Sequence, residues 1–163
     1  MPRYWNDANV FIEAHQKTYP IEMVPSFWKW MAARVEEGVI ACPRRVYKEI
    51  AENEDRQDAL AKWFQAKRDR GLCVPSNRDV QDQVGIVNSY VFAAYAYHQA
   101  IAFANGADSW VIAHAIVDSG IVVTQESNSR PKSAKARIPD VCKYFNVPCM
   151  GRIQMLKKLD AKF

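Results

Sequence analysis

"ADSWVIAHAIVDSGIVVTQES", Ala107 to Ser127, decides how the rest of the chain is read. Val111, Ile112, Ala115 and Ile116 recur at helical spacing and make one apolar stripe. Gly120 stops that helix, and Ile121 to Thr124 is the clearest strand in the sequence. A helix feeding a short apolar strand across a glycine is the unit of a parallel α/β sheet. Each half of the segment carries an acid: Asp108 opens the helix and Glu126 follows the strand.

The same alternation extends outward. Tyr4 to Ile12 reads as a first strand interrupted by the polar knot Asn6-Asp7-Ala8-Asn9. Ser26 is a plausible N-cap for a helix with the stripe Phe27, Trp30 and Met31, ending at Gly38. Trp28 and Trp30 stand two apart, so both cannot face the core squarely. Val39 to Cys42 reads as a buried strand, and Pro43 starts a helix through "RRVYKEIAE". A polar helix from Asp55 to Arg70 ends at Gly71; Leu72 to Val74 is another strand, and a helix begins near Arg78. Asn88 to Ala104 is apolar nearly all round, which predicts burial either in the core or in a homodimer contact. "IPDVCKYF" and "RIQMLKKL" read as closing helices.

With 163 residues, 49% hydrophobic and 25% charged, and with no repeat or long linker, a single domain over 1–163 is expected. The start has no signal-peptide pattern. The longest apolar run, Val91 to Ala104, contains His98 and Gln99 and is too short to span a bilayer, so a cytoplasmic protein without membrane contact is expected. Cys42, Cys73, Cys142 and Cys149 form no CxxC pair, which points to reduced thiols in or near a core. A net charge of +4 is compatible with a polyanionic partner without requiring one.

Sites in parallel α/β sheets lie at the carboxyl ends of the strands. The first strand ends near Asp7 and the last at Thr124, so one edge receives both Asp7 and Glu126. Glu49 flanks the apolar arc of Val46, Tyr47 and Ile50, and Asp108 tops the stripe of its own helix. Gathered carboxylates repel one another unless a cation neutralises them, and hard oxygen ligands suit Mg²⁺ or Mn²⁺. Singly, each acid has a plainer reading: Asp7 with Asn9 as an Asx turn, Asp108 as an N-cap, Glu49 and Glu126 as solvated charges, Asp140 as a helix-dipole partner. His15, His98 and His114 show no ligand spacing. After the last strand, Arg130, Lys132, Lys135 and Arg137 face only Glu126 in charge; they suit either phosphate contacts or a solvated loop.

Five motifs, "WNDANVFIEAH", "VYKEI", "ADSWVIAHAI", "VVTQES" and "IPDVCKYFNVPC", occur in that order over nearly the whole chain. In this the sequence resembles the PIN-domain family of VapC-type toxin ribonucleases, and most of all a small bacterial PIN-like branch catalogued as a domain of unknown function. The resemblance implies a PIN-like three-layer α/β/α sandwich around a mainly parallel sheet. It implies a metal-dependent endoribonuclease using one or two Mg²⁺ or Mn²⁺ ions and leaving a 5′-phosphate and a 3′-hydroxyl. It also implies the toxin half of a type II toxin–antitoxin pair, silenced by a cognate antitoxin protein.

Carried over residue by residue, Asp7, Glu49 and Asp108 match the family's catalytic, metal-binding acids, with Asn9 and Thr124 in support. The family usually has an Asp soon after the last core strand, where this chain has Gln125-Glu126-Ser127. The fourth acid is then Glu126 or Asp140, and Ile138-Pro139, fixing the approach, favours Asp140. Arg130, Lys132, Lys135 and Arg137 are the expected RNA contacts. The departure keeps two other readings open: a catalytically weakened binding module, and a phosphatase or DNA nuclease on the same acids.

Overall fold

The first strand is short because Asp7 ends it. In the computed structural model, which describes residues 1–127 and 135–163, β1 covers only Tyr4–Asn6. Asp7 is extended, at φ −75 and ψ 158, and its carboxylate accepts the Ala8 N–H at 2.8 Å. It is an N-cap, and α1 (Ala8–Glu13) starts inside the stretch Tyr4 to Ile12 that the sequence suggested as a first strand. Val10 and Phe11 do return to the core, but from a helix, which runs on into a π-helical turn at Ala14–Thr18.

The following elements alternate as expected, with corrected ends. Pro25 takes the first position of α2 (Pro25–Glu36) and Val24 the cap, so Ser26 lies inside the helix. Phe27, Trp28, Met31 and Val35 form its buried face; Trp28 goes inward and Trp30 is half-buried. β2 (Ile40–Pro43) is buried throughout and passes directly into α3 (Arg44–Ala51). α4 (Ala59–Lys67) is shorter than Asp55 to Arg70 because Asp58 caps it and Arg68–Arg70 tighten into a 3₁₀ turn before Gly71, at φ +107. β3 (Cys73–Val74), α5 (Arg78–Ala94), α6 (Tyr97–Asn105), α7 (Asp108–Asp118), β4 (Ile121–Val123), α8 (Ile138–Tyr144), β5 (Cys149–Met150) and α9 (Arg152–Lys158) complete the order.

Asn88 to Ala104 is not one buried helix. Tyr95 is extended and separates α5 from α6, and Phe92 and Tyr97 are 40% and 72% exposed. Much of the apolar character came from Ala93, Ala94 and Ala102, which sit on the surface; a small alanine exposes little apolar area there.

The five strands pair in parallel in the order β3-β2-β1-β4-β5, with Trp5 opposite both Ala41 and Val122. α7 lies along β1, β2 and β4, with α5 packed across it. Trp5 stacks on His114 of α7 at 4.3 Å, and its indole N–H donates to the Asp118 carboxylate. Gly120 makes this close approach possible: a Cβ there would stand 2.7 Å from Arg3 O and 2.8 Å from Trp5 Cδ1. The second helical layer is joined by aromatic contacts, Phe11 edge-on to Phe64 at 4.8 Å and Trp28 to Trp63 at 5.1 Å. The result is the three-layer α/β/α sandwich. All four cysteines are free thiols, with Cys42 and Cys142 buried. Among the described residues no single helix is long and apolar enough to cross a membrane.

Candidate active site

Because all five strands run in parallel, their carboxyl ends share one edge. Asp7 follows β1 there and Thr124 follows β4. The Asp7 N–H donates to Val123 O at 2.9 Å, which ties the two strand ends together.

Thr124 is the junction of this edge. Its hydroxyl accepts from Asn9 Nδ2 at 3.3 Å and from the Glu126 N–H at 3.2 Å, and donates to Asp7 Oδ2 at 3.2 Å. Both lone pairs are taken, so the one proton must point at Asp7. Asn9 also accepts the Gln125 N–H through Oδ1 at 3.0 Å. Asn9 supports Asp7 through Thr124, from the second position of α1.

Glu49, on α3, is exposed as a residue, but the Ala107 N–H that precedes α7 acts on its carboxyl. Asp108 occupies the first position of α7, with Ala107 as the cap. Glu126 accepts the Ile138 N–H at 2.9 Å, joining the end of β4 to the start of α8. Four carboxylates from four separate segments thus meet at one rim.

Their electrostatics follow from that meeting. Burial pushes the Asp7 carboxyl up to about 7, with the charges of Glu126 and Glu49 adding to it against the Ala8 and Thr124 hydrogen bonds. Burial lifts Asp108 to about 8, helped by Asp7, Glu126 and Glu49 and opposed by the Lys135 ammonium. Glu49 is raised by desolvation against its Ala107 bond and the nearby Arg45. The charge of Asp140, in the first turn of α8, acts on the phenols of Tyr90 and Tyr95. Pro139 does open α8, but it is Glu126 that bonds to this helix start from the acidic rim.

Of the expected RNA contacts, Lys135 is exposed and in charge range of Asp108. Arg137 is half-buried at the cap of α8. Arg130 and Lys132 lie outside the described residues. A cavity of about 520 Å³ borders Thr124 and Glu126 and runs past Lys143 and Cys149, beside Asp7 rather than over it. Two polar atoms next in sequence to the acids, Asn6 Oδ1 and Ser109 Oγ, are buried without a hydrogen-bond partner among the described residues. Their sequence signal, a polar residue adjoining each site acid, was present but indistinct from ordinary strand and helix polarity.

The donor set fits a hard divalent cation in kind: oxygen ligands, excess negative charge, and carboxyls that hold protons for want of a counter-ion. In spacing it is open. Among the described residues no three His, Cys, Asp or Glu side chains are placed to hold a metal ion. Asp7 and Glu126 each rest on a backbone N–H instead.

No curated protein matches the chain. Among solved structures it is similar to VapBC2 from Rickettsia felis bound to a DNA fragment from their promoter, with a TM-score of 0.54 and 13% identity over 91% of this chain and 97% of that one. At that identity the likeness is one of fold, and the fold is PIN-like. Residues 4–163 match the model of the family described as Domain of unknown function (DUF4411), and the chain belongs to that family.

Proposed function

We propose that the protein is a metal-dependent endoribonuclease, with Asp7, Glu49, Asp108 and Glu126 holding one or two Mg²⁺ or Mn²⁺ ions. One observation carries this reading: four carboxylates from distant segments converge where a parallel sheet ends, two of them with pKa values near or above neutrality. A structural role would disperse or pair such charges.

A bound divalent ion would acidify its water and stabilise charge on the phosphate. This chain's own residues do the rest. Thr124 aims Asp7, Asn9 holds Thr124, and the Glu126–Ile138 bond keeps the fourth carboxylate at the rim. Asp7 and Asp108 would hold the ion as carboxylates. Water attacks phosphorus in line, the 3′-oxygen departs with a proton, and the products are a 5′-phosphate and a 3′-hydroxyl. We include in this reading a cognate antitoxin protein. Exposed Ile86, Phe92 and Tyr97 on α5 and α6 offer an apolar face for such a partner or for a second copy.

The test is cleavage of a mixed RNA pool with Mn²⁺ or Mg²⁺, beside Asp7→Asn. Metal-dependent cleavage that vanishes in the variant supports the reading. No cleavage by folded, partner-free protein sinks it in favour of a binding module. Faster turnover of a phosphomonoester or of DNA would reassign the substrate.

A further inference from the structure

A second cavity opens beside the acidic rim, and its chemistry is the reverse. It encloses about 210 Å³ and is bordered by Arg44, Arg45 and Lys48 from the start of α3, Ser76 and Gln81 around the start of α5, and Trp110 of α7. No acid lines it, and none of the three cations forms an ion pair among the described residues. Like charges around a small concavity repel unless an anion is bound there.

The cavity is shaped as well as charged. Arg45 lies over the Trp110 ring, its guanidinium carbon 5.3 Å from the centroid, a contact that restrains the side chain before any ligand arrives. Ser76 Oγ is fixed by a 3.0 Å hydrogen bond with His114 Nε2, and Gln81 is tied to Ser76 O at 3.2 Å. Guanidinium forks and hydroxyls together suit a tetrahedral oxyanion. The cavity is also continuous with the acids: Arg45 and Glu49 are one helical turn apart on α3, and the Arg45 charge reaches Glu49. α3 directly follows β2, so both features stand at the carboxyl edge of the sheet.

We propose that this cavity is a phosphate subsite for the RNA backbone, in which Arg44, Arg45 and Lys48 grip a phosphodiester of the same strand whose scissile phosphate reaches the carboxylates. The assignment rests on the nuclease reading above. It is distinct from Lys135, whose charge acts on Asp108. The acids and the cations would act as a pair: the first recruit a cation and repel bare phosphate, and the second draw the strand across.

The test is binding of a short fluorescent oligouridylate in EDTA over a range of salt, followed by cleavage of unlabelled RNA with Mn²⁺. Arg44→Ala, Arg45→Ala and Lys48→Ala are exposed changes, and Lys29→Ala on α2 is the control. Each pocket variant should weaken binding and lower the slope of log K against log salt by about 0.7 for the phosphate contact it loses. KM for RNA should rise with kcat little changed, and Lys29→Ala should match wild type. If wild type cleaves RNA and the pocket variants bind with unchanged affinity and slope, the subsite is wrong and the nuclease stands. If wild type binds no RNA, the subsite falls, and the cleavage arm reports separately whether the nuclease falls with it. Tighter binding of duplex DNA through the same three residues would overturn the assignment to RNA.

Discussion

Replacing Asp7 by Asn should make the metal-free protein more stable, by an amount that depends on pH. Asp7 is 6% exposed, and its carboxyl sits at about 7 against an ordinary 3.8. Below about pH 4 the carboxyl is protonated in both folded and unfolded chains and contributes no difference. As pH rises from there, the unfolded chain releases the proton while the folded one keeps it. Stability is then lost at about 1.4 kcal/mol per pH unit until pH 7, a total of roughly 4 kcal/mol. Asparagine caps a helix about as well as aspartate and has nothing to ionise, so Asp7→Asn removes this loss while keeping α1 in place. For a chain of this length 1 kcal/mol moves Tm by roughly 2–4 °C, so the variant should melt about 8–16 °C above wild type at pH 8 and level with it near pH 4. The assay is thermal unfolding of both proteins in EDTA from pH 4 to 9. Adding Mn²⁺ at a hundred times its Kd should then return about 2.7 kcal/mol to wild type and little to the variant. A difference in Tm that stays constant across pH, or a variant less stable at pH 8, would refute the buried-carboxylate argument.

Other changes test the parts separately. Thr124→Val should cost roughly 2–3 kcal/mol by removing three hydrogen bonds at once, and weaken metal binding about 10–100-fold; Thr124→Ser should restore both, as urea unfolding and Mn²⁺ titration would report. Glu126→Gln should abolish metal-dependent cleavage while Asp140→Asn leaves it near wild type, and the opposite pattern would return the fourth acid to α8. Gly120→Ala should lower stability by about 1–3 kcal/mol, because its Cβ would drive into Arg3 O and the Trp5 ring, measurable as a shift in the urea midpoint.

Much of the fold was legible where local chemistry agreed with tertiary packing. Gly71 ends a helical turn and the β-branched run at Ile121 is a strand, while α7 ends just before Gly120, at the left-handed Ser119. Asp7, Glu49, Asp108 and Glu126 could be placed at one rim because strand ends in a parallel sheet share an edge. Elsewhere two local rules competed. "NDANVFI" fits both alternation and an aspartate cap, and the cap prevailed because Val10 and Phe11 can be buried from a helix. β5 is only Cys149–Met150, too short for any periodicity to register, and exists because it pairs with β4. The bond from Ile138 N to Glu126 was not legible, because it is a contact between elements. The basic cavity was invisible for the same reason: Ser76, Gln81 and Trp110 join Arg44, Arg45 and Lys48 only after the chain has folded.

The central strand of the sheet is also the first to be synthesised. Tyr4–Asn6 leaves the ribosome with neither neighbour available, since β2 begins at Ile40 and β4 at Ile121. Pairing over such separations is late and slow. A growing chain ending before Ile121 carries Asp7, Glu49 and Asp108 but has no Thr124 to aim the first and no finished edge to gather them. On the nuclease reading proposed above, the chain would be translated from its own message while still harmless to it, because the acidic edge would form only after β4 has emerged.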